Sequence, residues 1–99
     1  MTQFSLCRVR HEDALVCRIQ TDLGADTAYL LCAPVVRQSE WSIPIPMLHI
    51  PFEFDGEAYL ILMSQMLALP TASLGPVVGF AGAVRDEIVR AVDLLVVGF

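Results

Sequence analysis

Charge is scarce in this sequence, and positive charge is scarcest. Only 17% of the 99 residues are charged, six basic against eleven acidic, for a net charge of -5 and an isoelectric point near 4.7. An ordinary soluble domain carries roughly 25% charged residues. Four of the six cations, Arg8, Arg10, Arg18 and Arg37, fall in the first half. Binding along a phosphate backbone draws on counterion release by clustered cations. No such cluster exists here, so direct nucleic-acid binding is disfavoured. Long hydrophobic runs are also missing: none reaches the ~18 residues of a membrane span, and Leu94–Phe99 is far too short. Met1-Thr2-Gln3-Phe4 lacks the basic-then-apolar order of a secretory leader, so the chain is expected in the cytoplasm, without membrane contact. Cys7, Cys17 and Cys32 are odd in number and follow no disulfide or zinc spacing, so they read as free thiols.

What is plentiful is apolar surface, at 56% of residues. Ninety-nine residues suit one domain, spanning 1–99. A domain this small buries only around two thirds of what its unfolded chain exposes. The surplus must lie outside, where contiguous apolar area marks an interface. A symmetric homodimer is the commonest way to cover it.

Gln3–Val9 and Ala14–Gln20 alternate with a period near two around the polar stretch Arg10-His11-Glu12-Asp13, which predicts a hairpin. A turn centred near Glu12 sets Cys7 opposite Cys17, Val9 opposite Leu15 and Ser5 opposite Ile19. One face is then mainly apolar; the other, with Arg8 and Arg18 beside Phe4, Leu6 and Val16, is half wet. Asp22, Gly24, Asp26 and Thr27 make a turn-rich loop. Ala28–Ala33 suits a strand buried on both faces, closed by Pro34. Val35–Pro46 is expected to be irregular, since Pro44 and Pro46 forbid a central strand. Met47–Phe54 and Glu57–Met63 flank Asp55-Gly56, a strong hairpin signal, and Gln65–Leu69 predicts one more strand. After Gly75-Pro76 the period shifts to about 3.6, with Val84, Ile88, Val92 and Leu95 in one stripe and Ala91 beside it. Asp86 and Glu87 favour the helix start, Asp86 can pair with Arg90, and Gly98 suits a C-terminal cap. Val89, Val96 and Val97 leave the helix apolar on a second side.

Catalytic patterns are thin. No close-spaced His or Cys pair offers a metal site, and no glycine-rich phosphate loop follows a strand. His11 could pair with Cys7 or Cys17, but at a turn tip nothing orients it. His49, among apolar neighbours, reads as a hydrogen-bonded core or interface residue. Glu12-Asp13 and Asp86-Glu87 are adjacent and do not converge on one substrate. The sequence does not read as an enzyme and calls for no cofactor.

The final stretch Leu94-Leu95-Val96-Val97-Gly98-Phe99 is apolar where most domains fray into polar solvent. A carboxylate at Phe99 lies at the helix end that disfavours negative charge. Phe99 beyond the glycine either packs on the domain or anchors in a partner pocket.

Along nearly its whole length the chain resembles the CcdB family of toxins. Gln3-Phe4 and its hairpin, Gln20-Thr21-Asp22-Leu23 with Asp26-Thr27, Leu31-Cys32-Ala33-Pro34-Val35, Leu48-His49-Ile50, Met63–Pro70 and Glu87-Ile88 through Asp93 occur in the family's order. The resemblance implies a mostly β fold with a C-terminal helix, an SH3-like, partly open antiparallel barrel of the CcdB/MazF type, forming a homodimer. It implies a toxin that binds the DNA gyrase A subunit and traps the enzyme on cleaved DNA, neutralised by the disordered tail of a CcdA-like antitoxin. The apolar helix and the half-wet hairpin face are its expected landing surfaces. The family's terminal Trp-Gly-Ile, which inserts at gyrase, corresponds to Val97, Gly98 and Phe99. Other gyrase-contacting positions fall on Leu23, Gly24 and Asp93. Val97 stands where the family has Trp, and Phe99 restores an aromatic ring two positions later. The loop Val35–Pro46 is shorter than in the best-known member, and the Asp55-Gly56 hairpin is longer. Two alternatives use the same fold: an antitoxin-binding relative without gyrase poisoning, and a MazF-like endoribonuclease with Arg8, Arg18 or His49 lining a groove.

Overall fold

Seven strands form among the described residues, the first two buried along nearly their whole length and the later ones only in part. The computed structural model describes residues 1–22 and 27–98. The strands are β1 (Ser5–Val9), β2 (Leu15–Arg18), β3 (Tyr29–Arg37), β4 (His49–Phe54), β5 (Glu57–Leu62), β6 (Leu67–Pro70) and β7 (Leu74–Phe80), followed by helix α1 (Arg85–Val96). They make one antiparallel sheet in the order β4-β5-β3-β2-β1-β7, with β6 also paired to β3. The sheet curls until its two end strands face each other without pairing. At Gly79 on β7 a Cβ would lie 2.5 Å from Phe54 Cε1 on β4 and 3.1 Å from Leu6 Cδ1. That is a partly open barrel.

The first hairpin forms in a different register from the expected one. Leu6 faces Cys17, Cys7 faces Val16 and Arg8 faces Leu15. His11 takes a left-handed φ of 64°, and the Val9 N–H donates to Ala14 O at 3.0 Å. This closes a four-residue loop, one residue tighter than a turn centred on Glu12, and every cross-strand pair slips by one. Neither face is half wet. Phe4, Leu6, Leu15, Cys17 and Ile19 enter the main core, and Cys7, Val9 and Val16 pack with Leu30, Cys32 and Leu74 in a second cluster. Arg8 is exposed, whereas Arg18 is buried.

Pro34 does not end its strand; β3 runs nine residues through it. Leu31 O accepts the Ile19 N–H at 2.9 Å, so odd-numbered residues of β3 aim their backbone at β2. Pro34, of the opposite parity, faces the break between β6, paired as far as Cys32, and β5, paired from Val35. No ladder bond is lost there, which is how a proline fits inside a sheet. Val35 to Arg37 are therefore strand, and only the rest of the stretch to Pro46 lacks a strand.

Gly75-Pro76 likewise lies inside a strand instead of introducing the helix. Between Val9↔Leu74 and Cys7↔Val77, two β7 residues, Gly75 and Pro76, lie opposite the single β1 residue Arg8. The pair occupies that bulge on an end strand, where proline is tolerated. The β4–β5 hairpin forms as expected, with Asp55 (φ 56°) and Gly56 (φ 77°) supplying the two left-handed residues of a type I′ turn. In α1, Ile88 and Ala91 are buried and Val92 packs against the core, as does Val84 just before the helix, while Leu95 is exposed. Asp86 sits 3.4 Å from Arg85; the Arg90 pairing is not among the ion pairs of the described residues.

Candidate functional site

Helix α1 docks through Ile88 and Ala91, which leaves its opposite side and last turn outside. Val96 is 73% exposed and Val97 62%. Gly98 caps the helix as expected: its φ is 89°, and Asp93 O accepts both the Val97 N–H at 2.9 Å and the Gly98 N–H at 3.0 Å. Asp93 is therefore exposed in side chain and engaged in backbone. At 100° per residue, Glu87, Arg90, Asp93, Leu94 and Val97 fall within about 120° of the helix circumference. The structure thus brings Asp93, Val97 and Gly98 to one end of the molecule. Leu23, Gly24 and Phe99 lie outside the described residues.

The segment leading to Leu23 is held by a buried cation that sequence reading took for a half-wet surface group. Arg18 donates through Nε to Gln20 O (3.1 Å), Nη1 to Met1 O (3.0 Å) and Nη2 to Thr21 O (3.0 Å). Its Nη2 also lies 3.5 Å from Asp22 Oδ1. Asp22 Oδ1 accepts the Gln3 N–H at 2.8 Å, and Gln3 Nε2 donates to Ile19 O at 3.0 Å. Burying a charge is tolerable only with this density of partners. The signal available beforehand was parity: Arg18 shares a β2 face with Val16, which packs inside.

His49 is buried, with both ring nitrogens engaged. The Ile45 N–H donates to Nδ1 at 2.8 Å. That bond requires a lone pair on Nδ1, so the neutral ring carries its proton on Nε2 and donates to Ser64 Oγ, 3.1 Å away. Trp41 meets the ring edge-on at 5.6 Å between centroids. The expected hydrogen-bonded core histidine is present, and it carries a loop with it.

Of the three residues named for a ribonuclease groove, Arg8 alone lines the cavity of about 400 Å³ between the first hairpin and β3, together with Glu12, Asp13, Arg37 and Glu40. Arg18 and His49 do not line it, and both have their polar atoms committed. Arg8 sits 4.0 Å from Asp13, and Arg37 sits 3.0 Å from Glu57 and 3.4 Å from Glu40. The neighbouring Glu57 carboxylate, together with Arg37's own hydrogen bonds to Tyr59 and Glu40, pushes the Arg37 pKa up. Both cations thus sit beside carboxylates. The thiols are equally quiet. All three are free and buried, and burial pushes Cys17 up to about 12, Cys32 up to about 11, and Cys7 upward. His11 stays at its exposed turn tip. No group of three or more His, Cys, Asp or Glu side chains among the described residues could hold a metal, and no described helix is long and apolar enough to cross a membrane.

A seven-stranded, partly open antiparallel sheet closed by one C-terminal helix is consistent with a CcdB-like fold. A profile of the CcdB protein family matches residues 3–98, and the chain belongs to that family. Membership makes it a toxin of the toxin–antitoxin class. No curated protein matches the chain.

Proposed function

We propose that this toxin binds the A subunit of DNA gyrase and traps the gyrase–DNA cleavage complex, acting by binding and not by catalysis. The observation that carries the reading is the helix end: an exposed Val96-Val97 turn stopped by Gly98 in a left-handed cap, with Asp93 alongside. An exposed apolar turn on a rigid helix suits insertion into a partner pocket. Leu23, Gly24 and Phe99 complete the proposed contact set. A protein of net charge -5 can grip a DNA enzyme through its protein surface without holding the DNA.

The working form is a homodimer in the cytoplasm. Tyr29, Leu31, Val77 and Phe80 are exposed apolar residues outside the helix and offer area for self-association. Three free thiols fit a reducing compartment. A CcdA-like antitoxin would fold its disordered tail onto the dimer, and the cavity beside the first hairpin, lined by Val9, Leu15, Val36 and Tyr59, is a suitable landing place.

The test is calorimetric titration of the full chain into the gyrase A subunit, with a chain lacking Val97–Phe99 as comparison. Binding that disappears with the deletion supports the reading; binding that survives it refutes the contact set. Val97 in place of the family Trp favours one other reading, a relative that binds antitoxin but not gyrase. That outcome requires antitoxin binding with no heat from gyrase.

A further inference from the structure

Three large apolar side chains stand outside on a loop that does not behave like a loose linker. Ile43 is 76% exposed, and Ile45 and Met47 are also exposed. Yet this segment is tightly clamped. Ile45 donates its N–H to His49 Nδ1 and receives, on its carbonyl, the N–H of Leu48 (3.2 Å) and of His49 (2.9 Å). Met47 is held at a φ of 70°, a left-handed conformation that is unfavourable for a non-glycine residue. Strain of this kind persists where the surroundings over-determine it, and it clusters at ligand-binding segments.

The loop also adjoins the helix face already described. Met47, His49, Ile50 and Pro51 share a cavity of about 220 Å³ with Glu87 and Arg90 of α1. Glu87 and Arg90 begin the stripe that continues through Asp93 and Leu94 to Val97. From Arg90 to Val97 the helix rises about 10 Å. An ordinary interface covers about 800 Å² per partner, a patch some 30 Å across. A partner surface of that breadth, seated on the helix end, is wide enough to take in Met47 as well.

We propose that Ile43, Ile45 and Met47 form a second contact element for the same protein target as the helix end, and that His49 is the positioning residue that presents them. This rests on the gyrase reading above, and its occupant is the gyrase A subunit. The His49 ring, hydrogen-bonded to Ser64 through its other nitrogen and met edge-on by Trp41, fixes the Ile45 backbone and so aims the loop. Preorganisation of this kind lowers the ordering cost of binding.

Four full-length variants test it by affinity for the gyrase A subunit: Ile43→Asp, Met47→Asn, His49→Leu and His49→Asn. Asn tolerates the left-handed backbone at 47, so Met47→Asn removes the apolar contact without disturbing the fold. In His49→Asn the side-chain amide oxygen stands near the Nδ1 position and still accepts the Ile45 N–H; in His49→Leu nothing does. The expected result is a tenfold or greater loss of affinity in Ile43→Asp, Met47→Asn and His49→Leu, with His49→Asn closer to the parent. If the parent binds gyrase, deletion of Val97–Phe99 abolishes binding and the loop variants bind like the parent, this inference falls while the gyrase reading stands. If the parent does not bind gyrase, both fall. Loop variants that become monomeric in sedimentation, or lose antitoxin alone, would assign the loop to a second copy or to antitoxin and overturn the proposal.

Discussion

Replacing Arg18 by Ala would remove a cation that is 6% exposed and holds three backbone carbonyls between 3.0 and 3.1 Å. A hydrogen bond to a charged group contributes about 1.5–3 kcal/mol. Met1 and Thr21 are exposed, so water recovers much of two of these bonds, and the expected net loss is about 3 kcal/mol. For a domain this size each kcal/mol moves the melting temperature by roughly 4–8 °C, so the midpoint should fall by about 12–24 °C. Arg18→Lys keeps the charge, but its single ammonium cannot reproduce the guanidinium fork. It should cost about half as much as Ala. Asp22→Asn should cost under about 1 kcal/mol, because that pair is 3.5 Å apart with Asp22 half exposed. The amide oxygen also still accepts the Gln3 N–H. The assay is thermal unfolding at one fixed protein concentration, so that self-association does not move the midpoint. If Asp22→Asn destabilised as much as Arg18→Ala, the ion pair and not the carbonyl set would hold this corner, and the reasoning would be wrong.

The three buried thiols make stability fall at alkaline pH. Unfolded thiols ionise near 9.0, while native Cys17 holds its proton to about 12 and Cys32 to about 11. The unfolded state then binds fewer protons, so the stability that these thiols contribute is complete below pH 9 and is lost as pH rises through those values. Urea midpoints measured from pH 8 to 11 should decline, and less steeply in Cys17→Ala; a flat profile would contradict the burial argument. Gly56→Ala should cost about 1–2 kcal/mol from its backbone alone, because φ is 77° and an added Cβ meets nothing within 4 Å. Gly56→Asn should cost less, and equal losses in chemical denaturation would point to a contact instead.

Local chemistry was legible in the sequence wherever a residue type admits one conformation. Asp55-Gly56 announced its hairpin, Gly98 its cap, and Val84, Ile88, Ala91 and Val92 the docked side of the helix. Proline misled twice, because Pro34 and Pro76 are tolerated by pairing partners distant in sequence: the break between β5 and β6, and the bulge against β1. The first hairpin slipped by one residue because the left-handed turn at His11 has no strong signal in its residue type. The candidate face was legible through the family resemblance and the apolar helix end. The Arg18 knot and the loop clamped by His49 depend on carbonyl directions, which side-chain patterns do not carry.

The proposed action of the helix end on gyrase is tested most directly on DNA. The direct measurement incubates the protein with gyrase, supercoiled plasmid and ATP, denatures the mixture, and counts linearised plasmid. The expected result is protein-dependent double-strand breaks that vanish when Val97–Phe99 are deleted. Absence of breaks with gyrase from the protein's own host, or breaks that persist after the deletion, would contradict it.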